Sequence, residues 1–266
     1  MAGRRSAPPR GMFSSSPPRG GRTVVHPPLE ESPLVRVIGD WVDLDPEAGT
    51  LDVAQRLGQW LSVHDTIRLH AWQQAGATAP AARRPRLDTP ALAQEAQRLR
   101  ATLAQAITAH DPGAPTAPAP RGARVATPPV ADPAEADGLY ALYHQRHLEL
   151  QRQMDLRLDA WRGHLRQLLV QRGPAQASLA RLDALMEDAL RVRVQRVLAW
   201  LPGLLDKRFA HWRRSATDPT GALINPGWLA AYAHEWRTAL LAELDWRLQA
   251  TDGLLAALCE PNEQTT

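Results

Sequence analysis

Residues 132–172, DPAEADGLYALYHQRHLELQRQMDLRLDAWRGHLRQLLVQR, decide the fold of this chain. Asp132 can cap a helix, Pro133 suits its first turn, and Glu135 places an acid at its third position. No proline follows before Arg172, and one set of side chains recurs every three or four residues. That face consists of Tyr143, His147, Leu150, Met154, Leu158, Trp161, Leu165 and Leu168. The stretch therefore predicts one helix of about 40 residues, on the order of 60 Å long.

Two more long helices are predicted after Gly173-Pro174, which stops one helix and starts the next. The first should bend at Pro202-Gly203, and a turn region at 216–227 should separate it from the last. Its apolar face consists of Leu179, Leu182, Met186, Leu190, Val194, Val197, Leu201, Leu205 and Trp212. The face of the last helix consists of Leu229, Tyr232, Trp236, Leu240, Leu244, Leu248, Leu255 and Leu258. Because short turns join antiparallel neighbours, residues 132–259 predict an all-α, elongated antiparallel three-helix bundle.

The rest of the chain divides into a small helical unit at 30–75 and segments rich in proline. In the unit, one helix starts at Ser32-Pro33 and another at Thr50, and the whole is small enough to need support from a larger body. Pro/Ala-rich linkers at 76–131 flank a helix at 90–109, which we expect at the edge of the bundle. Residues 1–29 and 260–266 are expected to be disordered.

The net positive charge of the chain comes from its first 29 residues. The basic residues are 30 arginines and one lysine, Lys207. Five of the arginines lie in the first 29 residues, which contain no acid, and the formal net charge of the whole chain is +3. The remaining residues therefore carry −2, which excludes a strongly basic DNA-binding body. The tail itself is interpreted as solvated, with a basic arm for phosphate or an acidic partner as the alternative.

The single cysteine, Cys259, permits neither a disulfide within the chain nor a zinc site of thiolates, which fits a reducing compartment. The N-terminus lacks the apolar region of a signal peptide. The most apolar stretch, residues 197–205, contains Pro202 and is far shorter than the roughly 20 residues of a membrane span. We expect a soluble cytoplasmic protein with no direct membrane insertion.

Three groups of side chains were candidates for chemistry. Asp43, Asp45 and Glu47 could begin a calcium loop, but alanines stand at its sixth and twelfth positions, so a turn is preferred. His144 and His147 lie one helical turn apart without a third zinc ligand, which favours a hydrogen-bonded histidine of the core or its boundary. The third group consists of Glu235, Glu243 and Asp245. These acids could act as acid and base, but pairing with arginines of neighbouring helices is preferred. The sequence thus predicts no catalytic residue, no metal site and no cofactor.

The best candidate for nucleic-acid or partner contact is a cluster of four cations, Lys207, Arg208, Arg213 and Arg214. Around Phe209 and Trp212, such cations could bind phosphates while the rings stack on bases. The preferred interpretation is structural, because cations stabilise the last turns of a helix and both aromatic residues continue the core face.

Four segments carry a resemblance to a known family: Ser32 to Val42, DVAQRLGQWLSVHDTIRLHAW from Asp52, LARLDALMEDALRVRVQRVLAWLPGLLDKRF from Leu179, and LLAELDWRLQATDGLLAAL from Leu240. They resemble the accessory subunit of type III Zorya anti-phage systems. That resemblance implies three co-encoded partners: a MotA/TolQ-like stator, an OmpA/MotB-like peptidoglycan-binding protein and a second helical accessory protein. It implies a cytoplasmic adaptor recruited to the inner face of the inner membrane by this motor, and it supplies no catalytic residues.

Three functions are carried forward. The first is a non-enzymatic accessory subunit that works through protein contacts with the co-encoded proteins. The second is a nucleic-acid-binding effector that engages phage DNA through the cluster at 207–214. The third is a nuclease whose acids converge from different helices.

Overall fold

The computed structural model describes residues 32–41, 62–74, 87–113, 133–217, 225 and 227–260. Its helices within these ranges are α1 (Pro33–Gly39), α2 (Val63–Gln74), α3 (Thr89–Thr108), α4 (Pro133–Arg172), α5 (Pro174–Leu198), α6 (Trp200–Ala216) and α7 (Trp228–Cys259). The all-α class is confirmed. The tail at 1–29, the turn at Asp43–Glu47, the helix from Thr50 to Leu61, most of the linkers and residues 261–266 lie outside the described residues.

Helix α4 follows the sequence pattern closely. It begins at Pro133 and ends at Arg172, and every member of the predicted face is buried except Leu168, which is half-buried. Gly173 then has a φ of 140°, a backbone conformation that glycine adopts without the steric cost of a Cβ. Pro174 starts α5 immediately afterwards, so the chain reverses direction within one residue.

The second predicted helix is interrupted, but not where the sequence placed the bend. Helix α5 ends at Leu198 and α6 begins at Trp200, with Ala199 between them. Pro202 has no N–H to donate to the carbonyl of Leu198, and its ring collides with that carbonyl in a regular helix. The disruption therefore falls on the turn before the proline, three residues ahead of Pro202 itself.

Helix α7 is the centre of the molecule and contacts α1, α3, α4, α5 and α6. Between α4 and α7, Tyr143 contacts Trp236, and Gln151, further along α4, contacts Glu243, further along α7. These two helices therefore run parallel. Helix α6 runs the other way, since Phe209 contacts Trp228 and Arg208 pairs with Glu235. The thirteen buried residues of α7 include Trp228, Tyr232, Trp236, Leu240, Glu243, Leu244, Leu248 and Leu258.

Helix α3 is more central than the sequence predicts. Leu103 and Ile107 are each only 1% exposed, and α3 contacts both α4 and α7. An ion pair between Arg100 and Asp245 also joins α3 to α7. The expectation of edge packing is wrong because the widely spaced apolar residues of α3 all lie on one face, and that face covers the seam between α4 and α7. Helix α3 is therefore part of the core that α4 and α7 form.

The two N-terminal helices lie at different places on this body. Helix α1 packs on α7 and buries Leu34, whereas α2 packs on α5. The indole N–H of Trp72 in α2 donates to the carbonyl of Ser178 at 3.1 Å, and Arg68 pairs with Asp188. In the part of the chain that the structure describes, none of these helices combines the length and apolar character that crossing a bilayer requires.

The central position of α7 predicts where truncation of a leucine destabilises the protein. Leu240 is completely buried, and Leu240→Ala should lower the free energy of unfolding by about 2–5 kcal/mol. Leu156 on α4 is 66% exposed, and Leu156→Ala should change it by less than about 0.5 kcal/mol. Urea unfolding of both variants measures the difference, and equal losses would contradict the central role of α7.

Candidate functional site

The predicted cation cluster on α6 is divided by the structure. Arg208 donates two hydrogen bonds to the carboxylate of Glu235 on α7, at 2.9 and 2.6 Å, which raises the pKa of Arg208. Its guanidinium also lies 5.9 Å from the ring centre of Trp41, within the range of a cation–π contact. Arg213 lies 3.4 Å from Asp137 on α4. Both arginines therefore connect α6 to other parts of the protein.

The other two cations, Lys207 and Arg214, are exposed and have no ion-pair partner within the described ranges. The two aromatic residues of the cluster face inward: Phe209 is buried against Tyr232 and Trp228, and Trp212 is half-buried. Phe209 thus continues the core face as expected, whereas Arg208 is held by Glu235 of α7 and does not lie in the last turn of α6. Only Lys207 and Arg214 remain accessible for contact with a partner.

These two cations lie on one exposed side of α6, which we term the outer face and define as Trp200, Gly203, Lys207, His211 and Arg214. All five are exposed, and their spacing of three or four residues places them on one line along the helix. Trp200 is 74% exposed. The outer face contains no acid, and at the end of α5 Val192 and Val197 are also exposed.

Sequence reasoning missed Trp200. A signal was present, because Trp200 stands one residue before Leu201 of the core face and so projects about 100° away from it. A large aromatic residue outside the apolar face of its helix indicates either a second packing partner or an exposed surface. The sequence does not distinguish these possibilities, and the structure places the ring in solvent.

The three acids considered for catalysis are all paired with arginines, as preferred. Glu235 accepts from Arg208, Asp245 pairs with Arg100 of α3, and Glu243 pairs with Arg247. The last pair departs from the expectation in one respect, since Arg247 lies on the same helix as Glu243, one turn further on.

Among the described residues, Glu243 is the most deeply buried acid, with 0% of its side chain exposed. Its oxygens accept hydrogen bonds from the amide of Gln151 at 3.0 and 3.1 Å and from Nε of Arg247 at 2.8 Å. Arg247 also pairs with Asp155 at the surface of α4. Burial raises the pKa of Glu243 above its usual range, although Arg247 and Gln151 act in the opposite direction.

The two histidines weighed as zinc ligands point to different environments. His144 is exposed and stacks on Tyr140, whereas His147 is 1% exposed. Neither ring nitrogen of His147 has a hydrogen-bond partner in the part of the chain that the structure describes, and Nε2 lies 3.8 Å from a carboxylate oxygen of Glu243. The expectation of a hydrogen-bonded histidine is therefore wrong, although its place in the core is confirmed. Among the described residues, His, Cys, Asp and Glu side chains nowhere gather in threes as a metal site needs.

A groove of about 380 Å³ lies between α4, α5 and α7. Its apolar lining consists of Leu158, Met186, Leu190, Val194, Trp246 and Ala250. On its α4–α5 side, Arg162 and Arg166 form ion pairs with Asp183 and Glu187. Most of the apolar face of α5 is half-buried, and ion pairs join α5 to α4 beside the buried contacts of Ala180 with the cluster of Trp161 and Leu165.

Comparison with known proteins gave one family. The sequence profile described as a protein of unknown function (DUF3348) matches residues 22–260. No curated protein matches the chain. No solved structure matches it either.

Because His147 is buried, we expect the free energy of unfolding to decrease in acid. Burial, with smaller contributions from His144 and Arg247, lowers the pKa of His147 from 6.5 to about 3. Below pH 6.5 the histidine is protonated in the unfolded chain, whereas in the folded protein it stays neutral down to about pH 3. The free energy of unfolding is therefore highest above pH 6.5 and decreases as the pH falls from 6.5 to 3. At pH 4.5 this amounts to about 2–3 kcal/mol.

Replacing His147 should remove that dependence. Between pH 7 and pH 4.5, His147→Leu should lose about 2–3 kcal/mol less stability than the wild type in urea unfolding. The matched control is His234→Leu, because His234 is exposed on α7. The same pH dependence in His147→Leu and the wild type would show that His147 is not the group responsible.

Proposed function

We propose that this chain, which belongs to the DUF3348 family, is a non-enzymatic accessory subunit that binds a partner protein through the outer face of α6. The observation that carries the proposal is the exposure of Trp200. A tryptophan in water forgoes a large gain from burial, and this residue type dominates the binding energy of protein interfaces. Val197, three positions before Trp200, is also exposed at the end of α5.

The interior supports binding more than catalysis. An acid or base must reach its substrate, yet Glu243 is sealed from solvent and accepts hydrogen bonds from Gln151 and Arg247. Glu187 and Asp155 line the groove and are likewise held by arginines. These carboxylates balance charges within the bundle, which is a poor arrangement for the nuclease considered from the sequence.

The resemblance to the type III Zorya accessory subunit supplies the candidate partners. In this proposal the chain contacts the second helical accessory protein and the MotA/MotB-like motor subunits encoded beside it. It does so in the cytoplasm, at the inner face of the inner membrane, where the motor holds it. The association would link the motor to the rest of the defence system through protein contacts alone.

The test is capture of tagged co-encoded proteins after co-expression with this chain. Trp200→Ala should reduce capture by roughly tenfold or more, because it removes the ring from the centre of the interface. The control is Leu156→Ala, which truncates an exposed apolar residue on α4. Unfolding temperatures of both variants should equal that of the wild type. Equal capture by Trp200→Ala, or no capture of any co-encoded protein, would refute the proposal.

Nucleic-acid binding is the second candidate function, and the structure reduces the number of cations available for it. Lys207 and Arg214 are the accessible cations of the cluster, and the exposed ring of Trp200 lies on the same face, where a base could stack. Arg208 is less available because Glu235 holds it. The experiment compares Lys207/Arg214→Ala with the quadruple variant that also replaces Arg208 and Arg213.

Salt-dependent binding of labelled single-stranded and duplex DNA should weaken as much in the double variant as in the quadruple one, because it is the double variant that removes the free cations. Thermal unfolding serves as the control, since the quadruple variant also loses the ion pair with Glu235. Equal DNA affinity in wild type and both variants would exclude this surface as a nucleic-acid site.

A further inference from the structure

We infer that the partner of the outer face is an acidic amphipathic helix that lies along α6. The inference rests on the proposed function and adds the chemistry of the partner. Its basis is a combination of spacing, charge and exposure at Trp200, Lys207 and Arg214, three exposed residues seven positions apart.

The spacing matches what a second helix presents. Residues seven apart in an α-helix lie about 10 Å apart along its axis and on nearly the same side. A partner helix placed alongside repeats its own side chains at the same interval, as in coiled coils. One apolar residue against Trp200 therefore brings acids seven and fourteen residues away opposite Lys207 and Arg214. A β-strand repeats the side chains of one face about every 6.6 Å, so it has no such match over three successive contacts.

Among the described residues, no acid forms an ion pair with Lys207 or Arg214 of the outer face. Glu235 and Asp137, which could have neutralised it, pair instead with Arg208 and Arg213. Asp206 is exposed but stands one position before Lys207, so it projects about 100° around the helix. Arg196, which is exposed near the end of α5, adds a further cation. Complementary charge on the partner is thus what this face selects.

The same numbers disfavour polyanionic surfaces. Tight binding to duplex DNA commonly uses 6–10 phosphate contacts, and anionic membranes attract clusters of 4–8 cations. The outer face offers Lys207 and Arg214, with Arg196 beyond the break. Without its first 29 residues the chain carries −2, so its body repels a polyanion at long range. A single helix with two or three acids needs only a few cations opposite those acids.

The first experiment uses the full chain and a labelled helical peptide of about 21 residues. The peptide carries leucine at one position and glutamate seven and fourteen positions later, and its counterpart carries lysine at the two acidic positions. The glutamate peptide should bind roughly tenfold tighter in fluorescence anisotropy, and added salt should weaken its binding. Trp200→Ala and Lys207→Glu/Arg214→Glu should each weaken it about tenfold. The matched control is Arg152→Glu/Arg157→Glu, a charge reversal at two exposed arginines of α4.

Equal binding of the two peptides, or binding of neither, overturns the inference. So does tighter binding of a DNA duplex, or of vesicles rich in phosphatidylserine, than of the glutamate peptide.

The second experiment repeats the capture of co-encoded proteins with the charge-reversal variants. Capture that needs Trp200 but is unchanged by Lys207→Glu/Arg214→Glu leaves the accessory role standing and overturns the acidic helix. Preferential binding of the glutamate peptide without capture of any co-encoded protein supports the acidic helix and refutes the accessory role. Loss of capture in Lys207→Glu/Arg214→Glu, with full capture by Arg152→Glu/Arg157→Glu, supports both.

Discussion

A carboxylate that is fully removed from water needs an opposite charge and hydrogen-bond donors close to its oxygens. Glu243 of α7 is such a carboxylate, and the groups that compensate its charge fix how α7 packs on α4. Arg247 provides the charge from the next turn of the same helix, and the amide of Gln151 provides two hydrogen bonds from α4. Replacing such a network by well-packed apolar residues often costs nothing, so its net contribution to stability is small. Its effect is on register, because sliding α4 along α7 by one turn would separate Gln151 from Glu243 and Asp155 from Arg247.

That register determines which surfaces stay uncovered. With α7 fixed against α4, the apolar faces of α1, α3 and α6 all converge on the same helix, and the core side chains Leu205 and Phe209 occupy the inner side of α6. Arg208 is drawn to Glu235 by the same packing. Of the helices that the structure describes, none is then left to cover the opposite side of α6, with Trp200 and Lys207. The exposure of the outer face is therefore a consequence of the core.

Much of this architecture could be predicted from periodicity, which reports the face of a helix reliably. The start at Pro133, the reversal at Gly173-Pro174 and the buried face of α4 follow directly from the sequence. Periodicity says nothing about which other helix meets a face, and so α3 was expected at the edge although Ile107 is buried in the core. For the same reason the pairing of Arg208 with Glu235, 27 positions away, could not be read from the sequence. The candidate site depended on these long-range pairings, which decided that two of the four cations stay free.

The break at Ala199 explains how the core packing and the outer face of α6 are related. Before it, α5 packs mainly on α4. The contact combines buried apolar side chains around Trp161 with the ion pairs of Arg162 and Arg166. After it, α6 packs chiefly on α7, and the carbonyl of Pro202 accepts a hydrogen bond from Tyr140 at 2.9 Å. An unbroken helix could not change partners in this way, because its apolar face would continue along one line. The proline that forces the change also places Trp200 at the first turn of the new helix, one position off its core face. Pro202 therefore has two effects. It lets α5 and α6 pack on different neighbours, and it brings Trp200, Lys207 and Arg214 onto one helix.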